Sequence, residues 1–168
     1  MKRWRYVLLV LCTAVISISG TYLMNYFMKS EENKQKYEDI SEIGIPETEA
    51  DHEEENDQQD VKQSEDDFDY QSLIAMNSDC VGWIQIPGTD INYPVVQAAD
   101  NEFYLTHNFN RETAACGAIF MDYRNDVDAK AEHLILYGHQ MKDNSMFKQL
   151  NGYKEEMFYK EHPNISLY

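Results

Sequence analysis

Basic side chains are scarce in this 168-residue sequence, with 14 lysines and arginines against 30 acids and a formal net charge of −16. Phosphate backbones repel such a chain, and its one basic cluster, Lys2, Arg3 and Arg5, abuts an apolar run, so nucleic-acid binding is excluded. Cysteine is scarcer still, three residues with no Cys-x-x-Cys spacing. That supports neither a dense disulfide framework nor a zinc ribbon. The length fits one modest domain with appendages.

The charge is unevenly placed. Residues 1–30 carry four bases and no acid, 31–70 carry seventeen acids and three bases, and 71–168 carry thirteen acids and seven bases. The acidity therefore belongs mostly to a middle segment rather than to the C-terminal domain.

From Tyr6 to Met28 the sequence is almost wholly apolar or small. As a helix these residues reach about 34 Å, enough for a hydrocarbon core of roughly 30 Å. Basic residues precede the run, and Lys29 is followed at once by Glu31 and Glu32, so the positive-inside bias puts the N-terminus in the cytoplasm and the rest outside. The reading is a basic tip at 1–5, a signal anchor at 6–28, an acidic disordered tether at 29–66 and a folded domain at 67–168. A cleaved signal peptide, cut after Ser17-Ile18-Ser19, is the alternative, and the apolar run continuing past that point favours the anchor. The tether has few aromatics and little periodicity. Helical propensity running from the anchor through 31–42 is its alternative.

In the domain, Phe68, Ser72, Leu73 and Met76 make a helical stripe that stops near Asn77. Val81–Ile86 and Ile91–Val96 read as two strands around the turn cluster Pro87-Gly88-Thr89-Asp90. Strand-like runs follow at Ala118–Met121 and Leu134–Tyr137, helical turns at Met146–Tyr159, and a short strand at Ile165–Tyr168. The expected fold is mainly β, a sheet or barrel with small helical insertions.

Five blocks then occur in order: Val81-Gly82-Trp83-Ile84, Asn92-Tyr93-Pro94-Val95-Val96-Gln97, Asp100-Asn101-x-x-Tyr104, Gly117-x-Ile119-Phe120-Met121-Asp122 and Tyr137-Gly138-His139-x-Met141. Together they resemble a class B sortase over roughly residues 70–168. The resemblance implies a membrane-anchored cysteine transpeptidase of Gram-positive cell walls, built on an eight-stranded β-barrel of which this chain carries an incomplete part. No cofactor is implied. The implied partners are the bilayer, the sorting-signal peptide of an exported protein, of Asn-Pro-x-Thr type, and an amine of a cell-wall precursor.

By the same resemblance His139 is the acid/base. A lone histidine is more often structural; the Tyr-Gly-His match reverses that. The family's nucleophile lies in a Thr-Leu-x-Thr-Cys strand downstream of the histidine and is followed by an arginine, and neither occurs before Tyr168. Cys12 lies in the apolar run, while Cys80 and Cys116 match no nucleophile motif and read as structural thiols whose pairing is open. Arg111 and Arg124 read as solvated charge. The chain is therefore expected to be the N-terminal part of such an enzyme, inactive alone and prone to aggregate through open sheet edges.

Two other readings remain. A tethered module, or decayed gene product, could bind a peptide or partner chain at an open sheet edge without any nucleophile. A metal could use His107, His133, His139 and the acids from Asp122 to Asp128, although the spacing matches no recognised ligand set. Trp83, Tyr93, Tyr104, Phe109, Phe120 and Tyr137 are read as packing, and Asn92 and Asp122 as candidates to orient groups near the site.

Overall fold

The computed structural model describes residues 2–44, 69–127 and 133–168. Its first element, α1 (Lys2–Gly44), is a single 43-residue helix. From Tyr6 onward it is long and apolar enough to cross a membrane by length and composition. Among the described residues its apolar side chains find no cover: Leu8, Ile16 and Leu23 are all exposed.

The helix does not stop at Met28. Residues 29–44, expected as the start of a disordered tether, continue α1, and the acidic remainder of that tether, 45–66, lies outside the described residues, as do Phe68 and Asp128. The correction has a packing cause. Tyr37 and Ile40 are buried against the domain at 6% and 3% exposure, although their acidic neighbours hide them from a hydropathy reading. Burying one such side chain is worth about 1.5–3 kcal/mol, enough to extend a helix that the anchor has already nucleated.

The domain opens with α2 (Tyr70–Met76), capped by Asp69, whose carboxylate accepts the Ser72 N–H at 3.0 Å. Next come β1 (Cys80–Gln85) and β2 (Asn92–Val96), an antiparallel hairpin with Trp83 opposite Pro94. β2 then pairs in parallel with β3 (Ile119–Met121), so the chain crosses over through 97–118, a segment containing a 3₁₀ turn at Phe103–Leu105. The edges are β4 (Leu136–Tyr137), antiparallel to β3, and β5 (Ser166–Leu167), antiparallel to β1. A 3₁₀ segment, Phe147–Lys154, and α3 (Glu156–Glu161) lie between those edges in sequence.

The strand order β4-β3-β2-β1-β5 gives one curled, half-barrel sheet. Its core is aliphatic and aromatic, with Trp83, Tyr104, Phe109, Ile119 and Val95 at 1% exposure or less. The β-rich fold and the packing role of these rings stand as expected. Leu134 and Ile135 depart from expectation: both are exposed and precede the strand, which pairs only at Leu136 and Tyr137.

Candidate active site

His139 follows β4 by two residues, at the end of the strand that pairs with β3. Gly138 allows that approach. A Cβ there would lie 2.4 Å from Cδ1 of Ile119 and 2.7 Å from Cδ2 of Phe147, so those side chains would have to shift to admit one. The His139 carbonyl accepts the Phe147 N–H at 2.9 Å, which fixes the residue from the following loop.

The His139 ring is held by a main-chain group. Nε2 lies 2.7 Å from the carbonyl oxygen of Leu105. A carbonyl only accepts, so Nε2 carries the proton and, in the neutral imidazole, Nδ1 is the bare nitrogen. Nothing in the sequence pattern of the 97–118 crossover announces Leu105, because its contribution is a backbone oxygen. The usable signal is Asp100-Asn101-x-x-Tyr104. The Asp100 carboxylate accepts the Glu102 and Phe103 N–H groups at 2.8 and 2.9 Å, and these bonds hold its carboxyl below the ordinary range. Tyr104 anchors the other end, its hydroxyl donating to Asp79 at 2.8 Å and accepting from Asn77 at 2.9 Å. Leu105 is thus presented by a turn fastened on both sides.

Behind β4 sits Asp122, 1% exposed. Its Oδ1 accepts from Nε and the main-chain N–H of Arg124 at 2.8 and 2.9 Å. Its Oδ2 accepts from Nη2 of Arg124 at 2.8 Å and from Asn101 Nδ2 and the Tyr137 hydroxyl at 2.9 Å each. The Arg124 fork is the largest cause holding this carboxyl far below its ordinary range. Arg124 is therefore not simply solvated charge, since its guanidinium neutralises a buried acid two residues away. Arg111 likewise pairs with Asp79 and lies over the Phe103 ring at 5.0 Å. Asn92 acts within the hairpin, where its Oδ1 accepts the Trp83 indole N–H at 2.7 Å.

Cys80 and Cys116 are free, buried thiols. Burial pushes both up, Cys116 to about 11, opposite to what a nucleophile needs. His107 stacks on Phe103 at 4.1 Å, and its Nδ1 lies 2.8 Å from the Phe103 carbonyl. Among the described residues no three His, Cys, Asp or Glu side chains converge as a metal would require. A cavity of about 680 Å³ lies between α1 and the domain, lined by residues that include Tyr26, Lys29, Asn33, Tyr93, Thr106 and Met141.

Residues 84–161 match the family model described as a sortase domain. Sortase B of Staphylococcus aureus is 33% identical over 165 residues, covering 98% of this chain and 63% of that protein. Sortase B of Listeria monocytogenes is 46% identical over 94 residues, 56% of this chain and 38% of that one. The chain thus spans less than two thirds of either relative. Among solved structures, sortase B from Bacillus anthracis superposes with a TM-score of 0.68 at 37% identity, over 84% of this chain and 62% of that one. A Staphylococcus aureus sortase B–substrate complex gives 0.57 at 44% identity, over 58% and 45%. The five sequence blocks, the half-barrel sheet and these likenesses agree: residues 84–161 match a sortase domain, and the chain is similar to class B sortases in sequence and fold.

Proposed function

We propose that this chain supplies the histidine side of a class B sortase transpeptidase site, with His139 as the acid/base. The observation that carries the reading is the 2.7 Å contact between Nε2 and the Leu105 carbonyl, which orients the ring at a strand end and leaves Nδ1 without a hydrogen-bond partner among the described residues. The attacking thiol comes from outside residues 1–168, because burial and the weakened acidity it causes disqualify Cys80 and Cys116 and Cys12 lies in the apolar helix.

In this reaction the thiolate attacks the scissile carbonyl of an Asn-Pro-x-Thr-type sorting signal, the C–N bond breaks, and the His139 imidazolium gives its Nδ1 proton to the departing amine, returning to the neutral Nε2–H ring. An amine of a cell-wall precursor then attacks the thioester, passes a proton to the imidazole and releases the thiolate. Residues 6–28 of α1 anchor the protein in the bilayer with the N-terminus inside, so the domain acts on the outer face. Residues 1–168 alone do not cleave.

The test is cleavage of a fluorogenic sorting-signal peptide by the full-length protein, by its His139→Ala variant and by residues 1–168. General acid–base loss lowers the rate by about 10²–10⁴ in the variant. A variant within twofold of the parent removes His139 from the chemistry, and turnover by residues 1–168 removes the external thiol.

A further inference from the structure

The Leu105–His139 contact joins two segments that do not pair as strands: the turn at Phe103–Leu105 and the residues after β4. Something must hold them in register, and both sides lead to one carboxylate. Asn101, four residues before Leu105, donates to Oδ2 of Asp122 at 2.9 Å. Tyr137, two residues before His139, donates to the same oxygen at 2.9 Å. Asp122 closes the arrangement through its own main chain, since its N–H donates to the Ile135 carbonyl at 2.9 Å and its carbonyl accepts from Gln97 at 2.9 Å. The side-chain oxygen of Asn101 in turn accepts the Tyr123 N–H at 3.0 Å.

We propose that Asp122 is a positioning residue for His139, the point that holds the Leu105 carbonyl and the β4 end together so that the imidazole keeps its proton on Nε2. The proposal rests on the acid/base reading of His139 for its catalytic meaning. Arg124 has a separate part. Its fork to Asp122 compensates the buried charge, and an ionised carboxylate accepts from Asn101 and Tyr137 without competing as a donor. An asparagine at 122 has the same shape but must present an N–H₂ either toward Asn101 and Tyr137 or toward the Nε and main-chain N–H of Arg124, and it lacks the charge that Arg124 compensates.

The experiment reads the ring itself. In ¹⁵N-histidine-labelled full chain in detergent, long-range ¹⁵N–¹H spectra above the imidazole titration report which nitrogen carries the proton, with His139→Ala supplying the assignment. The parent is expected to hold the Nε2–H form. Asp122→Asn and Tyr137→Phe lower the ratio of Nε2–H to Nδ1–H on the order of fivefold, the weight of one net hydrogen bond. Asp122→Glu, which keeps the charge, restores part of it. Tyr137→Phe leaves the Asp122–Arg124 pair intact, so it decides the matter if Asp122→Asn does not fold. Unchanged tautomer ratios in folded variants overturn the proposal. In the full-length enzyme Asp122→Asn lowers kcat and displaces its pH profile with KM within twofold. A change confined to KM also overturns it. If His139→Ala keeps full activity, the acid/base reading fails, while the tautomer result still judges the positioning by Asp122.

Discussion

The Tyr37 hydroxyl donates to the carbonyl of Gly117 at 3.0 Å and accepts the N–H of Phe109 at 3.2 Å. One residue of α1 thus bonds two backbone groups of the crossover, and its ring meets Tyr93 edge-on at 5.4 Å. Lys36 adds an ion pair with Glu112 at 2.7 Å, and Asn33 accepts from Asn108 at 3.1 Å. The membrane-compatible helix and the domain are therefore packed together. Gly117 lets the crossover backbone fold back against the Phe103–Leu105 turn. Its φ of 59° is left-handed, and a Cβ there would sit 2.4 Å from the Tyr104 carbonyl.

Tyr37→Phe removes both bonds, leaving the buried Phe109 N–H unpaired and the Gly117 carbonyl with only the weak Cys116 thiol as donor. A loss of about 1–3 kcal/mol is expected in denaturant unfolding. Faster hydrogen exchange at the Phe109 amide localises the effect. An unchanged midpoint together with unchanged exchange would show that α1 contributes nothing to the domain's stability.

The strands were readable because Val81–Ile86 and Ile91–Val96 carry β-branched and aromatic residues around Pro-Gly-Thr-Asp, and the observed hairpin falls within a residue of those limits. The expectation for His139 rests on its family block alone. Three features were not readable. Tyr37 and Ile40 sit among acids, so local composition outweighed the tertiary burial that makes 29–44 helical. Leu105 acts through its main chain, which leaves no side-chain signature. Arg124 is exposed at its own position yet neutralises an acid buried beneath it, a pairing visible in sequence only as Asp-x-Arg.

Gly138 tests how tightly β4 must approach the core. In Gly138→Ala the new methyl meets Cδ1 of Ile119 and the Phe147 ring. Overpacking of this kind costs about 1–3 kcal/mol. Ile119→Val deletes the nearest atom, so the double variant should be less destabilised than the two single changes added together. Strict additivity in that cycle would show that the methyl finds room elsewhere.

Cys116 predicts a weakening at alkaline pH. Its thiol rises from 9.0 to about 11 on folding, chiefly through burial, so the native form keeps a proton that the unfolded chain gives up. The contribution is complete below about pH 9 and is lost as pH climbs towards 11. Denaturant midpoints at pH 8 and 10.5 should separate less in Cys116→Ala than in the parent. The native thiol should also resist iodoacetamide at pH 8 until denaturant is added, and rapid native labelling contradicts the burial.

Asp122 gives the opposite sign at acid pH. Arg124 first, then Asn101 and Tyr137, hold its carboxyl well below the ordinary carboxylate value of about 4. Between that ordinary value and the lower native one the unfolded chain binds a proton that the folded chain does not. The stabilisation is therefore complete above the ordinary carboxylate range and declines as pH falls below it. Asp122→Asn has no carboxyl to titrate and still loses the charged acceptor, so at neutral pH it should be the less stable protein. The gap from the parent should narrow steadily as urea midpoints are taken at lower pH. A gap that stays constant through the acid range would mean that the carboxylate's five donors are matched by equal interactions in the unfolded chain. The network would then orient groups without contributing to the pH dependence of folding.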